Sequence, residues 1–128
     1  MIIGEALGMD PIIDERAKES GFGMYNNRNV KDLPQKKREE MNMEPWDSHI
    51  NRMISLLADY RGSYVVVSHA LPIKAIVCHF LDLYEIESFS IEIKNASMSA
   101  VRLNDGKVLS VGSLILSRRI IDTFSKIT

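Results

Sequence analysis

The chain has 128 residues, 45% hydrophobic and 26% charged, which is enough for one domain with a sizeable core and too little for two. Its formal net charge of -1 gives no electrostatic reason to expect a nucleic acid or an anionic membrane as partner. A single cysteine, Cys78, excludes an intrachain disulfide and a cysteine-rich zinc site, and no apolar run reaches the roughly 18 residues of a membrane span.

The opening MIIGEALGMD has no basic region and no cleavage-like end, so no signal peptide is read and a cytoplasmic setting is expected. Ile2, Ile3, Ala6 and Leu7 are spaced as on a helix that Gly8 stops. With no capping residue ahead of Ile2, the segment reads as the end of a longer helix. PIIDE (11–15) reads as a short strand leading into a Gly- and Asn-rich loop. VKDLPQKKREEMNM (30–43) reads as a charged, exposed insert with Pro34 in or near its first turn.

From Trp46 the pattern sharpens. Asp47 or Ser48 can cap a helix whose apolar face is Ile50, Met53, Ile54, Leu57 and Ala58. Gly62 ends it, and YVVV (64–67) is a continuous apolar strand of the kind buried in a parallel sheet. Pro72 opens the next helix, with Ile73, Ile76, Val77, Phe80 and Leu81 on its buried face. FSIEI (89–93) and MSAVRL (98–103) read as strands, and Asn104, Asp105 and Gly106 turn the chain into KVLSVG. Residues 113–127 suggest a terminal helix. Helix, strand, helix and strand in succession, with a late antiparallel pair, predict an α/β domain with a mixed sheet.

In such sheets, ligands sit beyond the carboxyl ends of strands, where loops meet helix N-termini. His69, in Ser-His-Ala-Leu-Pro, occupies such a place. The amides opening the next helix favour an anion, phosphate above all, and a phosphate would favour a protonated imidazole. A hydrogen bond to a loop carbonyl is the commoner use of a histidine in this local pattern, and both readings stay open here. His79 reads as solvated or at the edge of the core, and His49 as a surface residue. No pair of histidines has the i, i+4 spacing of a helical metal site.

Four stretches in order carry a resemblance. VVVSHALPIKAIVCHFLDL, DPIIDERAKESGFGMYNN, EPWDSHINRMISLL and IKNASMSAVRL together resemble the histidine phosphatase superfamily, the phosphoglycerate-mutase-like fold. They stand for the second catalytic histidine with its strand and helix, the Asp-x-Arg-Leu-x-Glu segment, the Pro-x-Gly-Glu-Ser helix start and the Asn-Ala-Ser-x-Ser strand. The resemblance runs from residue 1 to about 112. It implies a mostly parallel sheet with helices on both faces, the whole chain 1–128 forming one partial domain.

Residue by residue, the resemblance makes His69 the second histidine, which hydrogen-bonds the phosphoryl group. Glu19 falls on the acidic proton donor to the leaving oxygen. Ala70 stands where the family usually has Gly, Asn95 lies near the phosphate pocket, and Arg16 takes an arginine position nearer to scaffold than to chemistry. These types suit phosphoryl transfer, which needs positive donors around the equatorial oxygens and an acid for the leaving group. A surface role for Glu19 and a salt bridge from Arg16 to Asp14, Glu15 or Glu19 stand as the competing uses.

The family's nucleophilic histidine lies in an Arg-His-Gly motif, which this sequence does not contain; the Ser-x-Leu-x-Arg-Ala stretch is also absent. The expectation is an N-terminally truncated domain lacking roughly 60 residues, two strand–helix units. The implied function is hydrolysis of a phosphomonoester on a small phosphorylated metabolite, without metal or cofactor. It is expected to be inactive in this chain because covalent catalysis has lost its nucleophile. The short stretch 23–46, without a recognisable specificity signature, favours a small phosphatase over a mutase. The alternative is a catalytically dead module that binds phosphate or associates with itself, a homo-oligomer covering the bare edges of YVVV. Neither nucleic acid nor membrane is expected as partner.

Overall fold

The computed structural model describes residues 2–21 and 43–114. Helix α1 (Ile2–Leu7) ends at Gly8, whose φ is 65°. The Gly8 amide donates to the Glu5 carbonyl (3.1 Å) and the Met9 amide to the Gly4 carbonyl (2.9 Å), the paired bonds that close a helix through a left-handed residue. Gly4 has to be glycine because a Cβ there would lie 2.9 Å from the Met9 carbonyl oxygen. The expected strand at 11–15 does not form. Asp14 instead caps a single 3-10 turn, Glu15–Ala17, by accepting the Arg16 amide (3.0 Å).

Helix α2 (Trp46–Asp59) starts earlier than its polar residues suggest, with Pro45 as N-cap rather than Asp47 or Ser48. Its buried residues are Trp46, His49, Met53 and Leu56. The inner face is therefore rotated from the expected one: Met53 is common to both, while Ile54 and Ala58 are exposed. The rotation follows from what α2 packs on. Trp46 meets Ala75 and Cys78 of α3 (Ala70–Phe80), with Ile50, Leu83 and Ile91 around them. Ile76 and Val77 are buried as the spacing predicts, Ile73 and Phe80 are half-buried, and Leu81 is exposed. Burial pushes the Cys78 thiol up, so it behaves as a core side chain.

After α3, a short α4 (Glu85–Ser88) begins where the Glu87 carboxylate accepts the amide of Tyr84 (2.8 Å). The hairpin is found: β1 (Met98–Arg102) pairs antiparallel with β2 (Lys107–Ser113) through a turn at 103–106. Asp105 holds that turn by accepting from Arg102 (2.6 Å) and from the Lys107 amide (3.2 Å), and these bonds set its carboxyl at about 2. FSIEI does not form a strand; Phe89 caps α4, and Glu92 runs close enough to β2 that a Cβ on Gly112 would meet its carbonyl oxygen at 2.8 Å.

Among the described residues the sheet is this antiparallel pair alone, and residues 64–67 belong to no strand. Side chains from Tyr64 to His69 alternate between half-buried and exposed, the period of an extended chain with one face covered. Val65 is 55% and Val67 45% exposed, where a strand inside a parallel sheet would hide both. The helix expected at 113–127 and the insert at 30–43 lie outside the described residues, apart from Ser113 and Leu114 and the buried Met43.

Candidate functional site

His69 is the N-cap of α3, extended at φ -124° and ψ 166°, and its side chain makes no capping hydrogen bond. The ring is left half exposed, at 54%. Behind it the helix closes its first turn through the Ile73 amide, which donates to the His69 carbonyl (3.1 Å). Pro72 has no N–H to offer, so the free donors at this end are the amides of Ala70 and Leu71, which meet no acceptor among the described residues. An exposed imidazole and two unsatisfied amides at the positive end of an eleven-residue helix make a place where an anion is stabilised.

Glu19 reaches this place from the loop after the 3-10 turn. Its Oε1 accepts the Ser20 amide (2.8 Å), and its Oε2 lies 3.8 Å from His69 Nδ1, an ion pair whenever the imidazole is protonated. The two chain segments are tied directly: the Ser68 hydroxyl donates to the Ala17 carbonyl (2.8 Å). His69, Ala70 and Glu19 are therefore brought together.

Arg16 and Asn95 are placed differently. The Arg16 guanidinium donates to Asp14 (2.9 and 2.7 Å), to Asp59 (2.6 Å) and to Ser55 (3.0 Å). Those hydrogen bonds from Arg16 hold the Asp14 carboxyl well below the usual range and raise Arg16 in turn. Every guanidinium nitrogen is committed to α2 and Asp14, which leaves none directed to a ligand. Asn95 is exposed in the turn before β1, beside Ala96 at φ 60°, and no hydrogen bond joins it to His69 or Glu19.

The sequence pattern of the histidine phosphatase superfamily (branch 1) matches residues 1–113. The chain belongs to this superfamily. It is also 31% identical, over 125 residues, to the 2,3-bisphosphoglycerate-dependent phosphoglycerate mutase of Thermoplasma acidophilum. That match covers 91% of this chain and 62% of the relative, so the chain spans under two thirds of the relative's length. No solved structure matches it significantly. Membership makes the fold class α/β. No helix among the described residues is long and apolar enough to cross a membrane, and they gather no group of three or more His, Cys, Asp and Glu side chains fit for a metal ion.

Sequence reasoning passed over the polar partners of this superfamily segment. Arg52 donates through Nε and Nη2 to the Glu44 carboxylate (2.8 and 2.9 Å) and through Nη1 to the carbonyls of Arg16 and Lys18 (both 2.7 Å). Burial alone would raise the Glu44 carboxyl, but hydrogen bonds from Arg52, Ser48 and the Gly21 amide outweigh it and hold it at about 2. The legible signal was the spacing: Ser48, Arg52, Ser55 and Asp59 follow one another at intervals of four, three and four, one face of α2, and Glu44 stands four residues ahead of Ser48, just before the helix. His49 was expected at the surface and is instead fully buried, its Nε2 3.5 Å from Glu44 Oε1. An ion-paired carboxylate beneath the helix start gives the ring a polar neighbour inside.

Proposed function

We propose that this chain supplies the phosphate-receiving part of a phosphomonoester hydrolase of the histidine phosphatase superfamily, acting on a small phosphorylated metabolite. The observation that carries the reading is the half-exposed His69 at the start of α3, beside two open amides and 3.8 Å from Glu19. A phosphoryl group there takes hydrogen bonds from the imidazolium and from the Ala70 and Leu71 amides. A protonated Glu19 carboxyl can hand its proton to the leaving oxygen. Arg16 acts as scaffold in this scheme, and Asn95 is assigned no contact with the phosphoryl group. Of the three histidines, none stands in Arg-His-Gly, so the chain by itself binds phosphate without forming a phosphohistidine. The protein is read as cytoplasmic, without cofactor or metal, and as engaging neither nucleic acid nor membrane.

Inorganic phosphate titrated calorimetrically into the protein tests this. Binding is expected in wild type and in His79→Ala, and at least about tenfold weaker in His69→Ala; unchanged binding in His69→Ala sinks the site. Nitrophenyl phosphate should not be hydrolysed by the chain alone. A second reading, a self-associating module, draws support from the exposure of Val65 and Val67. Sedimentation equilibrium decides it: a concentration-dependent dimer that Val67→Lys dissociates favours that reading, and a monomer removes it.

A further inference from the structure

We propose that Arg52, held by Glu44, is the positioning residue that sets the Glu19 carboxyl against His69. The proposal rests on the role given above to Glu19 at the phosphate site.

Residues 16–21 have little apolar packing to place them: Ala17 is the one hydrophobic side chain, and it is half-buried. The position of this loop is therefore set by where its backbone polar groups are satisfied. Four successive carbonyls are bound by two side chains. Arg52 Nη1 donates to those of residues 16 and 18, and Nη2 to that of residue 19 at 3.4 Å. Ser68, the neighbour of His69, binds the one between. At the far end, Gly21 exchanges two bonds with Glu44: its carbonyl accepts the Glu44 amide (2.7 Å), and its amide donates to Glu44 Oε1 (3.3 Å). Glu19 thus hangs between two clamped points, its carboxyl steadied by the Ser20 amide and directed at His69.

The guanidinium suits this because its planar fork serves two partners at once, one edge bidentate to Glu44 and the other to the loop. Both side chains are nearly enclosed, at 12% and 13% exposure, so water screens these bonds little. A lysine has one ammonium, which cannot hold the carboxylate and two carbonyls in that geometry.

The test is a double-substitution cycle read on the backbone amide resonance of Ser20, which reports its bond to the Glu19 carboxylate. In the wild-type background, Glu19→Gln is expected to move this resonance clearly. In the Arg52→Met background, the same change should move it at least about fivefold less, and in Arg52→Lys by an intermediate amount. An equal movement in all three backgrounds, with Arg52→Met only lowering the melting temperature, would reduce Arg52 to general fold support and overturn the proposal. Should Arg52→Met fail to fold, the comparison of wild type with Arg52→Lys decides the question. No phosphate is present, so this result and the calorimetric one can fail separately.

Discussion

Replacing Glu44 by glutamine keeps its shape and removes the charge that Arg52 and Ser48 address. The folded-state carboxyl lies at about 2, against an ordinary 4.5. A depression of that size corresponds to about 3 kcal/mol of stability. Because the folded value is the lower one, this stability is fully present above pH 4.5 and is lost as the pH falls toward 2. By linkage, about 2 kcal/mol of it is gone at pH 3. Urea unfolding of wild type and Glu44→Gln at pH 7, 5, 4 and 3 measures the difference directly, since the other titrating groups are common to both. The expected gap is constant from pH 7 to 5 at about 2–3 kcal/mol and narrows to about 1 at pH 3. A gap that stays the same at pH 3 would refute the assignment of a buried, charge-assisted Glu44–Arg52 pair.

Trp46→Ala should cost about 3–5 kcal/mol in the same unfolding assay, because it empties the contact with Ala75 and Cys78 at the α2–α3 junction; under about 1 kcal/mol would deny that contact its place in the core. Gly8 and Gly112 both have positive φ but differ in surroundings, open space around one and the Glu92 carbonyl 2.8 Å from a Cβ on the other. Gly8→Ala is expected to cost about 1 kcal/mol and Gly112→Ala at least about twice that. Equal costs would mean that the chain around Glu92 yields freely.

What was legible in the sequence divides by the range of the forces behind it. The helices at 46–59 and 70–80, the stop at Gly8 and the turn at 103–106 depend on contacts within a few residues, and their signals stood in the chain: 3.6-residue spacing, a left-handed glycine, Asp105 before Gly106. FSIEI and PIIDE had the composition of strands and did not become strands. A strand exists only where another backbone answers its hydrogen bonds, and composition does not supply that partner. YVVV has the alternation of an extended segment and, among the described residues, no neighbour in a sheet.

The candidate site divides in the same way. His69 at a helix start was legible from Ser-His-Ala-Leu-Pro, since the cap and the helix are adjacent in sequence, and four ordered motifs carried the family. That Glu19 meets His69 across fifty residues, that Arg16 turns to Asp59, and that Arg52 holds the carbonyls between them are decisions of the packed chain. Long polar side chains are multivalent: Arg52 could have faced solvent on any helix with this sequence. Packing Trp46 against α3 turned α2 so that Ser48 and Arg52 faced Glu44 and the 16–21 loop, and unsatisfied carbonyls there left the guanidinium one favourable place to go. Short-range order in the chain was enough to set the local elements and to place His69 at a helix start. Tertiary structure alone decided which charges meet, because in water each has many partners and in a folded interior it has few.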